Sequence, residues 1–109
     1  MDTQLFELKN SLKQLVQNLI VRIHNVTIDL ENNNNEKLLY WLEDLSMLTE
    51  AIMVLSKNNI IELELDVFNE KAELLLDKVE EKDYLFVKDL LQYEINPLLQ
   101  YLDGCLTND

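Results

Sequence analysis

Glu94 is the residue whose type and position most clearly suggest chemistry in this sequence. It falls between two apolar stripes of the last helical segment, residues 84–102, where neutral side chains are expected. An ionised carboxylate in an apolar setting must be paired with a cation or take up a proton. Glu94 is therefore a candidate for a structural ion pair, a ligand contact or a catalytic acid.

Arg22 is the predicted partner of that carboxylate. It is the only arginine in the sequence, and it flanks the apolar stripe of the first helical segment between Leu19 and Val26. A guanidinium group holds five donors in a fixed geometry that suits a half-buried carboxylate. We expect Glu94 and Arg22 to be structurally coupled.

Pro97 and two tyrosines extend this candidate site. Pro97 cannot donate a hydrogen bond to the carbonyl of Tyr93, so the last helix is expected to kink there. Tyr93 and Tyr101 lie on either side of the proline, and a kink between them would form a local groove. The candidate binding residues are thus Glu94, Arg22, Tyr93, Pro97 and Tyr101.

Other catalytic and metal-binding patterns are missing from the sequence. The only histidine, His24, has no acid three or four positions before it, as carboxylate-bridged di-metal bundles require, and we expect it at the surface. Cys105 has no evident orienting group for a nucleophile pair with His24. One glycine, Gly104, cannot build a phosphate-binding loop or an EF-hand. We expect no metal, no cofactor and no enzymatic activity.

Length and charge restrict the classes of partner. A chain of 109 residues suits a single domain, 1–109, and its net charge of -12 disfavours binding to nucleic acid or to anionic membranes. A single cysteine fits a reducing compartment. The first residues lack the pattern of a signal peptide, and no run of 18 apolar residues occurs. We therefore expect a cytoplasmic protein.

The spacing of the apolar residues predicts helices that would position these side chains. They recur at steps of three and four, and one glycine and one proline are too few for a β-sheet protein. We predict helices over residues 3–31, 36–57, about 61–79 and 84–102, with a short charged connection at 80–83. Residues 61–67 also alternate apolar and acidic in the manner of a strand. The fold class is all-α.

Polar residues mark the expected ends of these helices. The asparagines at 32–35 predict a loop whose last residues cap the second helix. Asn59 with Glu62 resembles a capping box for the third helix, and Asp83 is the predicted N-cap of the last. Gly104 is its predicted C-terminal stop.

Two helices carry unusual surfaces. In the second, Tyr40, Met47, Ala51 and Val54 extend the apolar surface around the back, so neighbouring helices or a second chain are expected to cover it. The third gathers acids on one face, which is a solvated surface, a docking surface for a basic partner, or a DNA mimic that occupies a nucleic-acid-binding protein.

Four amphipathic helices with short links favour an up-down-up-down four-helix bundle, whose core a homodimer can complete. The alternative architecture is an open helical array that needs a second chain for its core. The sequence contains no internal repeat, so a solenoid is not expected.

The C-terminal segment also carries a resemblance. The residues DYL at 83–85 and DLLQYEINPLL at 89–99 resemble a family of small uncharacterised helical proteins of low-GC Gram-positive bacteria. The resemblance implies an all-helical fold and brings no activity with it.

Two functions are compatible with these features. The favoured one is a non-enzymatic acidic helical interaction module, such as an adaptor, chaperone or regulator, that binds a partner protein or itself. The alternative is a small-ligand binder or enzyme built around Glu94, Arg22 and the neighbouring tyrosines.

Overall fold

The computed structural model describes residues 3–58 and 65–107 and contains no strand in these two stretches. Its helices are α1 (Thr3–Glu31), α2 (Glu36–Lys57), α3 (Leu65–Glu80), α4 (Tyr84–Leu90) and α5 (Asn96–Thr107). A π-helical turn, Leu91–Ile95, joins α4 to α5, so these three elements form one continuous fourth helix. The predicted all-helical fold is confirmed. None of the described helices combines the length and apolar character of a membrane span.

The asparagine loop separates α1 from α2 as predicted. Asn33 has a φ of 60°, in the left-handed region that asparagine tolerates better than most residues. The side chain of Asn34 accepts a hydrogen bond from the backbone N–H of Glu36 at 3.0 Å. One of the otherwise unsatisfied donors at the start of α2 is thereby paired.

The start of the last helix also agrees with the sequence. The Asp83 carboxylate accepts a hydrogen bond from the backbone N–H of Phe86 at 3.3 Å, as an N-cap does. The predicted start of the third helix near residue 61, with the capping box of Asn59 and Glu62, lies outside the described residues.

Gly104 does not end the last helix, so the predicted stop is wrong. The glycine has no positive φ, and α5 continues through it to Thr107. This continuation buries Leu106 in the core. Burial of a leucine contributes about 1.5–3 kcal/mol, more than the roughly 1 kcal/mol that glycine costs within a helix.

The core is one continuous apolar cluster to which every helix contributes. Trp41 of α2 is its largest member; the side chain is completely buried, and its indole N–H donates to the carbonyl of Leu19 at 2.9 Å. The leucines and isoleucines with 2% exposure or less are Leu19, Leu38, Leu48, Ile52, Leu55, Leu75, Leu90, Leu91, Ile95, Leu99 and Leu102.

Helix α1 lies at the centre of the packing and contacts α2 and α5 most extensively, whereas α3 packs mainly on α4 and the π turn. Asp29 pairs with Lys37 near the asparagine loop, and Arg22 pairs with Asp44 further from it, so α1 and α2 run antiparallel. Helices α2 and α3 approach each other closely at few points. The molecule measures 47 × 22 × 19 Å.

The outer face of α2 is left uncovered. Five large apolar side chains on this face are between 44% and 61% exposed; they are Leu39, Tyr40, Met47, Met53 and Val54. The helices of the same chain do not cover Tyr40, Met47 and Val54, and the expected cover by a second chain stays a prediction. The reason is that α2 packs chiefly against one helix, α1.

Candidate functional site

The π turn sets the orientation of the candidate residues on the fourth helix. At about 100° per residue, an uninterrupted α-helix would place the buried residues of α4 and those of α5 roughly 100° apart. The turn absorbs one extra residue: the backbone N–H of Asn96 donates to the carbonyl of Leu91, five positions earlier. Both sets of core residues therefore face the same side.

Glu94 lies in this π turn and pairs with α3. Its Oε1 accepts a hydrogen bond from Nζ of Lys71 at 2.7 Å, and its side chain is 43% exposed. The hydrogen bond to Glu94 raises the pKa of Lys71 above the ordinary lysine value. The stabilisation that Lys71 contributes through this pair is therefore present at neutral pH and is lost as pH rises through the raised pKa of Lys71.

Arg22 faces the other way and pairs with α2. Its Nη1 donates to the Asp44 carboxylate at 2.5 Å and to the side chain of Asn18 at 2.8 Å. The predicted pair of Glu94 with Arg22 is therefore wrong. Arg22 projects towards the α1–α2 seam, whereas the π turn directs Glu94 towards α3, so each charge finds a different and nearer partner.

These alternative pairings lead to a prediction about coupling in urea unfolding. The losses in free energy of unfolding caused by Arg22→Met and by Glu94→Gln should add within about 0.5 kcal/mol, since the two residues share no partner. Arg22→Met with Asp44→Asn should be coupled by about 0.5–1 kcal/mol, as partly exposed pairs are. Lys71→Met with Glu94→Gln should also be non-additive. A coupling of Arg22 to Glu94 as large as that of Arg22 to Asp44 would contradict the assigned pairs.

Tyr93, Pro97 and Tyr101 form an exposed ridge on the outer face of the fourth helix. Tyr93 is 73% exposed, and Pro97 and Tyr101 are exposed as well. A π turn ends two residues before Pro97, and the predicted kink and groove at the proline stay predictions. The structure thus brings these three residues together, but separately from both Glu94's ion pair and Arg22.

Arg22 instead borders a cleft between α1 and α2. The cleft has a volume of about 300 Å³ and is lined by Arg22, Asn25, Val26, Lys37 and Tyr40. Its two cations already have carboxylate partners, Asp44 and Asp29. Binding of an anion there would have to compete with these pairs.

A second cleft lies between α1 and the fourth helix, with a volume of about 230 Å³. Its lining residues are Ile20, Ile23, His24, Gln92 and Asn96. The predicted surface position of His24 is confirmed, since its side chain is exposed. Without a neighbouring carboxylate or thiol among these residues, the cleft offers no catalytic pair for the imidazole.

An apolar groove lies between α2 and α3. It has a volume of about 150 Å³ and is lined by Leu42, Leu45, Ser46, Thr49, Ala72 and Leu76. Sequence reasoning missed this groove, although it identified the apolar excess of α2 and the acids of α3. The missing information was that α2 and α3 stand apart, which periodicity along either helix does not report.

Metal and thiol chemistry find little support in the described residues. No group of three or more histidine, cysteine, aspartate or glutamate side chains within 3–58 and 65–107 is arranged to hold a metal ion. Cys105 is a free, partly buried thiol.

Comparison with protein families identifies one match. The model of the family described as a domain of unknown function, DUF8042, matches residues 7–103. No curated protein and no solved structure matches the chain.

Proposed function

The chain belongs to the DUF8042 family, and we propose that it is a non-enzymatic acidic helical interaction module that binds a partner protein or a second copy of itself. The observation that carries this proposal is the uncovered outer face of α2. A single exposed apolar side chain is ordinary at a protein surface, whereas several large ones on one face of a helix favour an interaction surface.

The apolar residues on α2 are arranged in two rows. Tyr40, Met47 and Val54 follow one another at intervals of seven. Leu39 and Met53 are fourteen apart on a second line, and the exposed acids Glu43 and Glu50 lie between the two lines. Residues at heptad spacing lie on one side of a helix, and such rows are the side chains through which helices pack on other helices. The face is therefore suited to contact with another protein.

We include in this proposal an up-down-up-down arrangement of the four helices, with homodimerisation as one way to cover the exposed face. The antiparallel run of α1 and α2 and the short link between α3 and α4 support the arrangement. A cytoplasmic location and an origin in low-GC Gram-positive bacteria are further parts of the proposal, supported by the free thiol and by the resemblance of the C-terminal segment. We also propose that nucleic acid is not a partner, because of the charge of -12.

The separate ion pairs of the two candidate charges favour a binding module over an enzyme. Glu94 pairs with Lys71 and Arg22 with Asp44, and the buried side chains of the described helices form one cluster. For the small-ligand alternative, the α1–α2 cleft of Arg22, Lys37 and Tyr40 is a candidate site, where a small organic anion would have to displace existing ion pairs.

Sedimentation equilibrium at micromolar concentration, with reductant to exclude a Cys105 cross-link, tests this proposal. We expect either a dimer or a monomer that binds a hydrophobic dye. Met47→Gln with Val54→Gln should weaken the dimer or the dye signal several-fold. Val21→Gln is the matched control, because Val21 is exposed on α1. A monomer that fails to bind the dye would refute the proposal.

A further inference from the structure

Ion pairs join neighbouring helices at three seams of the molecule. Arg22–Asp44 joins α1 to α2, Lys88–Glu31 joins α4 to α1 at 2.7 Å, and Lys71–Glu94 joins α3 to the π turn. The α2–α3 seam has no ion pair across it among the described residues. It is also the seam that contains the apolar groove.

The groove is bordered by further apolar surface. Leu76, on its α3 wall, is 51% exposed. On the α2 side, Ser46 lines the groove, and Leu39 and Met53 lie seven positions before and after it on the same line of the helix. The groove itself runs along α2 from Leu42 to Thr49, about 10 Å at 1.5 Å rise per residue, and the exposed Leu39 and Met53 lie beyond its two ends.

Exposed acids flank both walls. Glu43 and Glu50 lie beside the groove-lining residues on the outer side of α2, and Glu73 and Glu80 lie three before and four after Leu76 on α3. Residues at these spacings share a helix face. None of the four carboxylates forms an ion pair within the described part of the chain. The groove is thus an apolar strip between two acidic margins.

We propose that the α2–α3 groove binds a basic amphipathic helix of a partner protein; this inference rests on the proposed interaction function and names its partner. Apolar side chains of the partner at i, i+3/i+4 and i+7 would occupy the groove, and lysine or arginine residues on its flanks would pair with the two acidic margins.

The charges argue for this occupant over a second copy of the chain. Two copies meeting at this groove would bring eight carboxylates of Glu43, Glu50, Glu73 and Glu80 to one interface, and like charges brought together disfavour association. A helix is favoured over an extended peptide because both walls of the groove are helices. They present ridges of side chains, against which another helix packs, and they offer no strand edge to an extended peptide.

Fluorescence anisotropy with three labelled synthetic peptides tests the inference. One peptide carries leucines at helical spacing with lysine flanks, a second has the same leucines with glutamate flanks, and a third scrambles the lysine peptide. We expect the lysine peptide to bind in the micromolar range and to weaken at least tenfold on raising salt from 50 to 500 mM, as charge pairing requires. The other two should bind at least tenfold more weakly.

Matched variants locate the site. Leu76→Gln and Ser46→Lys should each weaken the lysine peptide at least fivefold, whereas Leu85→Gln, a substitution at an exposed leucine on α4, should change binding less than twofold. Glu73→Gln with Glu80→Gln should weaken binding and flatten its salt dependence. Glu70→Gln with Asp77→Asn removes the same charge from α3 away from the groove and should have a smaller effect. Circular dichroism confirms that each variant is folded, and amide chemical shifts should change at Ser46, Thr49, Ala72 and Leu76.

The outcomes separate this inference from the proposed function. Equal binding of all three peptides, or equal effects of Leu76→Gln and Leu85→Gln, would overturn the groove assignment. A dimer that Leu76→Gln dissociates would make a second copy the occupant, which overturns the inference and supports the proposed function. Absence of peptide binding together with a dye-negative monomer would refute both.

Discussion

Trp41→Ala is expected to lower the free energy of unfolding by about 3–5 kcal/mol, the cost of removing a large aromatic side chain from a core. Trp41 is completely buried, and its indole N–H donates to the carbonyl of Leu19. The alanine variant loses the apolar contacts, the hydrogen bond and the fit between α1 and α2. Because small domains are stable by about 5–15 kcal/mol, urea unfolding should show a midpoint shifted to much lower urea or a protein already partly unfolded.

Two further variants show whether burial causes this loss. Trp41→Phe keeps part of the packing and should cost clearly less than Trp41→Ala. Tyr40→Ala, at the adjacent but exposed position, should change the free energy of unfolding by no more than about 0.5 kcal/mol. Similar losses for Trp41→Ala and Tyr40→Ala would contradict the packing of α2 described above.

Deletion of a single residue should have opposite results in the π turn and in α2. Without Tyr93, an exposed residue of the π turn, the fourth helix can become α-helical throughout while the core residues of α4 and α5 stay on one side. We expect this variant to fold, with a free energy of unfolding lowered by less than about 2 kcal/mol. Thermal and urea unfolding, followed by circular dichroism, measure the loss.

Deletion of Glu43, an exposed residue within α2, is the matched comparison. No extra residue exists there, so the rest of α2 rotates by about 100° relative to its start. The buried residues displaced from the core are Leu45, Leu48, Ile52 and Leu55. Each displaced side chain gives up about 1.5 kcal/mol or more of burial energy, so the free energy of unfolding should fall by roughly 6 kcal/mol. A loss of this size is enough to unfold many domains of this length. If both deletion variants are equally stable, the π turn does not serve to align the core.

The parts of the fold that could be predicted from the sequence depend on interactions between residues close together in the chain. The bounds of α1 and α2 agree with the prediction because apolar periodicity and the asparagine loop act within a few residues of one another. Asp83 as N-cap follows from the same kind of short-range contact. In the candidate site, the sequence identified Glu94 as needing a cation and identified α2 as too apolar for one neighbour.

The partners of the charges could not be predicted in this way. Arg22 was the best chemical match for Glu94, but pairing depends on which helix faces which. The π turn directs Glu94 to Lys71, and the contact of α1 with α2 directs Arg22 to Asp44. Lysine in place of arginine suffices because Glu94 is partly exposed and remains solvated.

The sequence by itself determined the helical class, the lengths of α1 and α2, the acidic charge and the amphipathic character of each helix, since these depend on neighbours along the chain. The tertiary structure alone decided that α5 continues through Gly104 to bury Leu106, that a π turn aligns the two halves of the fourth helix, and that α2 and α3 leave a groove between acidic margins. The physical reason is that burial and charge pairing are set by distances between helices, and these distances are shared by the whole core and are not encoded in any one segment.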